Sequence, residues 1–414
     1  MSLFRKNCTQ KQKMIECMRD YEFPSNSIFY SSIKEVAFIF GVIIGGILFI
    51  TYPFLCSLAN EIFVMKHFYW TLLCVGGFVS LHYFHQVLFL PLEYSRYCNE
   101  NEKAHALQRS YADLLPAFPN SWSKLLDDFM LEKGKTVQVE LFGRQLRVKR
   151  LKSGVLNPFC VDEHNGQYPI AEVNRIIFVW YHNDPDFALT PLWEIPIIDN
   201  GMKDWIFHGK VEHDIVCHIS ETAENGADTA HLEYVHGAFL LQCLFFIRHY
   251  WTCEYKTKNH SEVDAHIAKI DIVQYFTFFG YRLPFTTVRS DIRQVGPNIV
   301  QLIFPTIFGN ILVQETIQPL HTNLQRANNI VHAQRNVPRF IAKFILKSLA
   351  IQFERDLPIW NAKRWLRKPL IIKSDGPIQQ YRRWMKQFYA NNGGKCIRSA
   401  NGVEMWIENE KKKF

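Results

Sequence analysis

Two long stretches without a charged side chain constrain this chain more than any other feature. The 25 residues between Glu35 and Glu61 contain no Asp, Glu, Lys or Arg, and neither do the 26 between Lys66 and Glu93. A helix rising about 1.5 Å per residue needs about 20 residues to cross ~30 Å of hydrocarbon, so both stretches suffice. The link from Glu61 to Lys66 leaves room only for a tight hairpin. The expectation is two transmembrane helices within residues 36–92, after a cytosolic segment over residues 1–35. A pair of buried core helices is the alternative. The first stretch begins too late and runs too long for a cleaved signal peptide. The flanks set an orientation. Arg5, Lys6, Lys11, Lys13, Arg19 and Lys34 precede the first stretch, and Arg96, Lys103 and Arg109 follow the second. The positive-inside rule then places both ends in the cytosol. Lys411, Lys412 and Lys413 before Phe414 have the form of a dibasic endoplasmic-reticulum retrieval signal, or of a solvated charge run. The expected location is a membrane, that of the endoplasmic reticulum, with the residues after the second stretch in the cytosol.

The remaining chain is long enough for a large core. Hydrophobic residues make up 48% of the 414 and charged residues 21%, which excludes a mainly disordered protein and a small disulfide scaffold. Aromatic residues reach 14%, with 33 Phe, as fits walls around something apolar or simply a Phe-rich core. The net charge of +8 is dispersed, and no stripe interleaves aromatics with Lys and Arg, so nucleic acid is not expected as a partner. The ten cysteines include no C-x-x-C pair, which reads as free thiols in a reducing compartment and excludes a zinc ribbon.

From about Asn120 the pattern is that of short strands and turns. Residues 137–148 alternate, with Gly143 as the turn, and Ile176–Tyr181 is a short buried strand. Strand candidates follow at Cys253–Lys256, Ala265–Phe279, Ile299–Phe304 and Ile311–Ile317. Pro338 then opens a long helical pattern through Phe340, Phe344, Ile345, Leu349 and Phe353. The fold class is α+β, an antiparallel sheet over a long C-terminal helix, an arrangement that permits an apolar cavity.

The chemistry-bearing stretch is Glu221–Gly237, where Asn225, Asp228, His231 and His236 are spaced N-x2-D-x2-H-x4-H. The first three recur every three residues, so one helix face is expected to carry them. His236 lies about 140° from His231 on an ideal α-helix, and a π-type turn or a helix end would bring the rings together. Two imidazoles and one carboxylate suit divalent iron and leave adjacent positions open for dioxygen. The best candidate for the distant carboxylate is Asp356 in Phe353–Trp360, where Pro358 is expected to break the helix. Taken singly, Asn225 and Asp228 also read as caps or turn formers, and two His five apart as ordinary surface or core residues.

Together these segments resemble the catalytic domain of Rieske-type non-heme iron oxygenases, in particular the cholesterol 7-desaturase, or Neverland-type, group. Residues 119–125, 178–182, 193–196, 375–378 and 381–384 fit the same group, and the similarity covers residues 110–395. The resemblance implies a START-like, helix-grip catalytic domain over residues 201–395. A truncated Rieske-like all-β region would occupy residues 110–200, and a C-terminal tail residues 396–414. It implies mononuclear Fe(II) on His231, His236 and Asp356. Asp228 would couple the iron electronically to a cluster, and Asn225 would stand beside the iron. The implied reaction removes hydrogens from C7 and C8 of cholesterol, giving 7-dehydrocholesterol for steroid synthesis. The implied partners are a sterol, an NAD(P)H-dependent reductase, the membrane and a homotrimer.

One family feature is missing. A Rieske [2Fe–2S] cluster is held by C-x-H and C-x2-H, and neither pattern occurs in this chain. Cys160 and His164 form only C-x3-H and read as loop residues. Residues 150–175, between the flanking strands, are too few for two cluster loops. Three explanations follow: a shortened gene model or splice form, a catalytically silent sterol-binding paralogue, or a chain that takes electrons from a partner.

Overall fold

The structure, a computed structural model, describes residues 71, 74–79, 81–82, 85–86, 89–108, 116–239, 246–257, 264–363, 375–389, 394–398 and 404–408. The cytosolic segment and the first expected membrane helix lie outside these residues, and the second helix is described only in part. Among the described residues no helix is long and apolar enough to cross a membrane.

The chain enters with strand β1 (Leu92–Arg96) and helix α1 (Glu100–Gln108). Six strands then form one antiparallel sheet: β2 (Ser121–Asp127), β3 (Thr136–Leu141), β4 (Arg144–Lys149), β5 (Phe159–Val161), β6 (Gln167–Val173) and β7 (Ile176–Tyr181). Their order across the sheet is β2-β7-β6-β5-β4-β3. The β3–β4 hairpin forms where the alternation places it. Its two turn residues, Phe142 and Gly143, have φ of 56° and 66°. A two-residue turn with both centres left-handed matches the natural twist of paired strands. Strand β7 spans the predicted Ile176–Tyr181. It is apolar throughout because each face meets a different core. Ile177 and Val179 pack with Leu125, Leu141 and Leu146, whereas Ile176, Phe178 and Trp180 pack towards the second sheet.

The second sheet follows β8 (Ile206–Ile215), α2 (Ile219–Ala223) and α3 (His231–His236) with β9 (Ile247–Thr257), β10 (Ile267–Phe278), β11 (Tyr281–Arg282), β12 (Val288–Val295), β13 (Ile299–Thr306), β14 (Gly309–His321) and β15 (Leu324–Ala333). Its order is β1-β8-β15-β14-β13-β12-β10-β11, with β9 also on β10. Helix α4 (Arg339–Ala362) lies against β8 and β15. The expected sheet over a long helix is present. Leu346, Ala350, Phe353, Leu357 and Trp360 are its buried residues facing the sheet side. Each large one contributes roughly 1.5–3 kcal/mol of burial. Helix α5 (Gly376–Met385) completes the layer through Tyr381 and Trp384, both in the main core.

Two expectations are corrected, the first and fourth of the following points, and two features add to the domain reading. First, the helix does not break at Pro358, which lies inside α4. Proline removes one N–H that would bond four residues back. Packing of Phe353, Leu357 and Trp360 in one buried cluster holds the helix across that gap. Second, the sheet built by β8–β15 takes one more strand from before residue 110. Strand β1 pairs with β8 in parallel, Leu92 opposite Gly209. A side chain at Gly209 would bring its Cβ within 2.2 Å of the Leu92 carbonyl oxygen, so the close approach requires glycine there. Third, towards the C-terminus β16 (Gly394–Arg398) pairs with β17 (Glu404–Glu408). Fourth, Asn225, Asp228 and His231 do not share a continuous helix. Asn225 sits in a 3-10 turn over Glu224–Gly226, Asp228 in the irregular link after it, and His231 opens α3. Gly226 and the sidechain-bonding Asn and Asp favour turns over helix, which explains the interruption.

Candidate metal centre and cavity

Three of the residues singled out in the sequence converge. The ligand atoms of His231, His236 and Asp356 all lie within 4.8 Å of one another, the one such cluster of His, Cys, Asp and Glu among the described residues. The two histidines are the first and last residues of the six-residue α3, the helix-end solution to their 140° offset. Their ring centroids are 5.0 Å apart. Asp356 comes from α4, 120 residues later, and its Oδ2 lies 3.3 Å from His236 Nε2.

Hydrogen bonds orient each group. The Asn225 Nδ2 donates to Asp356 Oδ2 at 2.9 Å. The His231 Nδ1 contacts the Asp228 carbonyl oxygen. A carbonyl only accepts, so Nδ1 carries the proton and Nε2 keeps its lone pair for a ligand. Asp228 therefore meets His231 through its backbone, and its half-buried side chain is not part of the cluster. The His236 Nδ1 is buried without a hydrogen-bond partner. Two imidazoles and a carboxylate, one ring nitrogen unpartnered, make a donor set that fits a divalent transition metal such as iron.

The scaffold around the site is tied by ions. Arg355, next to Asp356, donates to the carbonyls of Ala238 at 2.8 Å and Phe239 at 2.7 Å. It thereby fastens α4 to the chain leaving α3. Burial pushes its guanidinium down to about 10, still cationic at neutral pH. Glu224, next to Asn225, is gripped by Lys363 and Arg382. Burial would raise the Glu224 carboxyl, but Arg382 and Lys363 together hold it below its ordinary value.

A cavity of about 440 Å³ opens beside the triad, and His231, His236, Asp356 and Asn225 all line it. The volume is that of a small-molecule site. Most of its wall is apolar, with Ile270, Ile292, Leu302 and Phe353 among the contributors. His249 also lines it and is driven down to about 3, first by burial, so it is neutral.

Sequence reading missed a polar band in this wall. Gln294, Val300, Glu315 and Asn329 stand opposite one another on β12, β13, β14 and β15, and all four line the cavity. Both amide atoms of Gln294 and the Asn329 Nδ2 are buried without partners. No local motif marks them, since only the register of four strands brings them together. Burial, with the Asp356 charge adding to it, pushes Glu315 up to about 7. Its ordinary value is 4.5, so between there and 7 the folded chain keeps a proton that the unfolded chain loses. Stability therefore falls as pH rises through that window. Glu315→Gln is expected to stabilise the metal-free chain at about pH 8 by on the order of 1–3 kcal/mol and to leave it unchanged at about pH 4. Thermal unfolding at the two pH values checks this, and an equal effect at both would contradict it.

Cys160 and His164 are not brought together as ligands. Cys160 is fully buried in β5, where burial pushes its thiol up to about 12, while the His164 side chain is 80% exposed. The turn between them is organised by Asp162. Burial would raise its carboxyl, but Arg144, the Gly166 and His164 N–H groups and Tyr168 hold it at about 2.

Residues 179–389 match the family model of the 3-ketosteroid 9alpha-hydroxylase C-terminal domain. The chain is 30% identical over 356 residues to the cholesterol 7-desaturase nvd of Xenopus laevis, covering 72% of this chain and 77% of that one. It is 31% identical over 360 residues to the cholesterol 7-desaturase of Caenorhabditis elegans, covering 71% and 82%. A crystal structure of dicamba monooxygenase with non-heme iron and dicamba is similar at 11% identity and a TM-score of 0.41, over 66% of this chain and 98% of that one.

Proposed function

The chain belongs to the Rieske-type oxygenase family, in its cholesterol 7-desaturase group, and from that premise we propose that it holds one ferrous ion and takes a sterol into the cavity beside it. His231, His236 and Asp356 are the ligands in this reading. A ferrous ion there supplies dioxygen activation for removing hydrogen from C7 and C8 of cholesterol. Two hydrogens leave the sterol, and dioxygen is reduced to water with two further electrons from NAD(P)H through a reductase.

The chain's own residues do the rest. Asn225 holds the Asp356 carboxylate, and the Asp228 carbonyl fixes the His231 tautomer. The apolar wall excludes water from the sterol's ring system, while the polar band of Gln294, Glu315 and Asn329 faces its hydroxyl end. The resemblance would make Asp228 the acid that couples the iron site to a [2Fe–2S] cluster. The chain has no C-x-H or C-x2-H to hold one, so no copy of it supplies that cluster and the electron donor would have to be a separate protein. The two apolar stretches within residues 36–92 anchor the chain in the endoplasmic-reticulum membrane, with the catalytic region in the cytosol.

The observation that carries this reading is the convergence of three ligand groups in the wall of an apolar cavity. The missing cluster ligands favour a second reading, a catalytically silent membrane-bound sterol-binding paralogue. Both readings place a sterol in the cavity, and the enzyme reading also requires iron beside it. The full chain, loaded anaerobically with ferrous ion and exposed to nitric oxide, is expected to give a high-spin iron–nitrosyl resonance that changes shape when cholesterol is added. A resonance indifferent to cholesterol would separate the metal from the cavity and sink the enzyme reading.

A further inference from the structure

Several exposed apolar side chains lie next to residues that line the cavity. Thr286, Thr306 and Phe344 line the cavity. Beside them, Phe285 is 85% exposed and Ile307 is 93% exposed, and Phe344 itself is half exposed. Phe279, Tyr281 and Phe340 are exposed as well. These residues come from three separate segments: the β10–β12 connection, the β13–β14 turn and the first turns of α4. The register brings the segments together. Gln274 on β10 faces Val288, where β12 begins. Thr306 ends β13 opposite Gly309, and Ile311 faces Ala333 at the end of β15, just before α4. Three apolar tips thus project from one end of one sheet. Isolated exposed apolar residues are ordinary, but a cluster from three segments around a cavity mouth is not.

Two further observations identify what covers it. The first is charge. Residues 272–290, 302–314 and 331–353 contain no Asp or Glu, yet carry Arg282, Arg289, Arg335, Arg339, Lys343 and Lys347. Apolar tips set among cations with no acids suit an anionic lipid surface. The second is where the uncharged stretch before Glu93 meets the domain. Lys343 Nζ donates to the Gln86 carbonyl at 2.8 Å. The apolar chain therefore arrives at the same first turns of α4 that carry Phe340 and Phe344.

We propose that the rim formed by Phe279, Tyr281, Phe285, Ile307, Phe340 and Phe344 inserts into an anionic lipid bilayer, so that the cavity opens into the membrane rather than into water. The sterol then moves from bilayer to cavity without crossing the aqueous phase.

The test uses the full chain in vesicles of phosphatidylcholine and phosphatidylserine. A photoreactive benzoylphenylalanine replaces Phe285 or Ile307, or Val155 as an exposed apolar control on the six-stranded sheet. Irradiation is expected to yield a one-phospholipid mass adduct at positions 285 and 307 and none at 155. Absence of lipid adducts at the rim, equal labelling at 155, or crosslinks to a second copy of the chain instead would each overturn the proposal. A second measurement rests on the sterol reading. Phe285→Glu combined with Ile307→Glu is expected to slow loading of dehydroergosterol from vesicles by about tenfold or more while loading from cyclodextrin is unchanged. Equal loading from vesicles by the variant and the parent chain, or equal slowing from both donors, would overturn the route. Lipid adducts need neither iron nor sterol turnover, so the docking claim and the iron reading fail separately.

Discussion

Alanine in place of His231, His236 or Asp356 is expected to lower the iron of the ferrous-loaded full chain from about one per chain to less than about a tenth. Each change removes one of three protein ligands, and water is the only replacement. His236 and Asp356 are 4% and 5% exposed, so their loss also leaves a small void in the wall. Asn225→Ala is a graded companion. It keeps all three ligands but frees the Asp356 carboxylate to rotate, and a lost orienting bond of this kind typically weakens metal binding roughly 10–100-fold. Metal analysis after gel filtration gives the stoichiometry, and competition with a chelator gives the affinity of the Asn225 variant. Circular dichroism confirms that each variant is folded. Unchanged iron in all three alanine variants would remove the metal reading. A full loss in the Asn225 variant would make that side chain a ligand rather than an orienting group.

The parts of this site that were legible in the sequence are those encoded by local spacing. The five-residue interval of His231 and His236 is visible locally but carries no claim by itself; the resemblance of the surrounding segments singles it out, and the helix-end arrangement resolves its angular mismatch. The β3–β4 hairpin and β7 were legible because alternation and an uninterrupted apolar run are local signals. Other parts were not. Asp356 reaches the cluster from α4, a helix that Pro358 does not end, since burial of Phe353, Leu357 and Trp360 outweighs one missing backbone bond. The every-third-residue pattern of Asn225, Asp228 and His231 suggested a helix face, and turn-forming side chains broke it. Strands β8, β12 and β15 lacked clear alternation because polar residues such as His213, Gln294 and Asn328 are buried in them. The polar band of the cavity belongs to tertiary register alone. Arg355 gave no signal either, because its partners are backbone carbonyls, which any sequence supplies.

The other large effect concerns turnover. Supplied with ferrous ion, cholesterol, dioxygen, a reductase and NADPH, the chain is expected to form no 7-dehydrocholesterol. The argument rests on the stretch between β4 and β7. Two short loops and two strands, β5 and β6, fill residues 150–175. The first loop is closed by a bridge between Arg150 and Leu156, and the second by the bonds that Asp162 accepts from the His164 and Gly166 N–H groups. Cys160 points into the core while the His164 ring is exposed, so the two do not meet as ligands. Nothing in this segment holds a cluster, and a reductase that ends at NADPH has no relay to the triad. Adding a separate [2Fe–2S] ferredoxin with its reductase distinguishes the two functional readings. Product in that case identifies an oxygenase with an external relay. No product, with the cholesterol-sensitive nitrosyl resonance intact, identifies a sterol-binding paralogue. Product from reductase and NADPH alone would overturn the argument from residues 150–175 and require an electron route through this chain that bypasses a cluster.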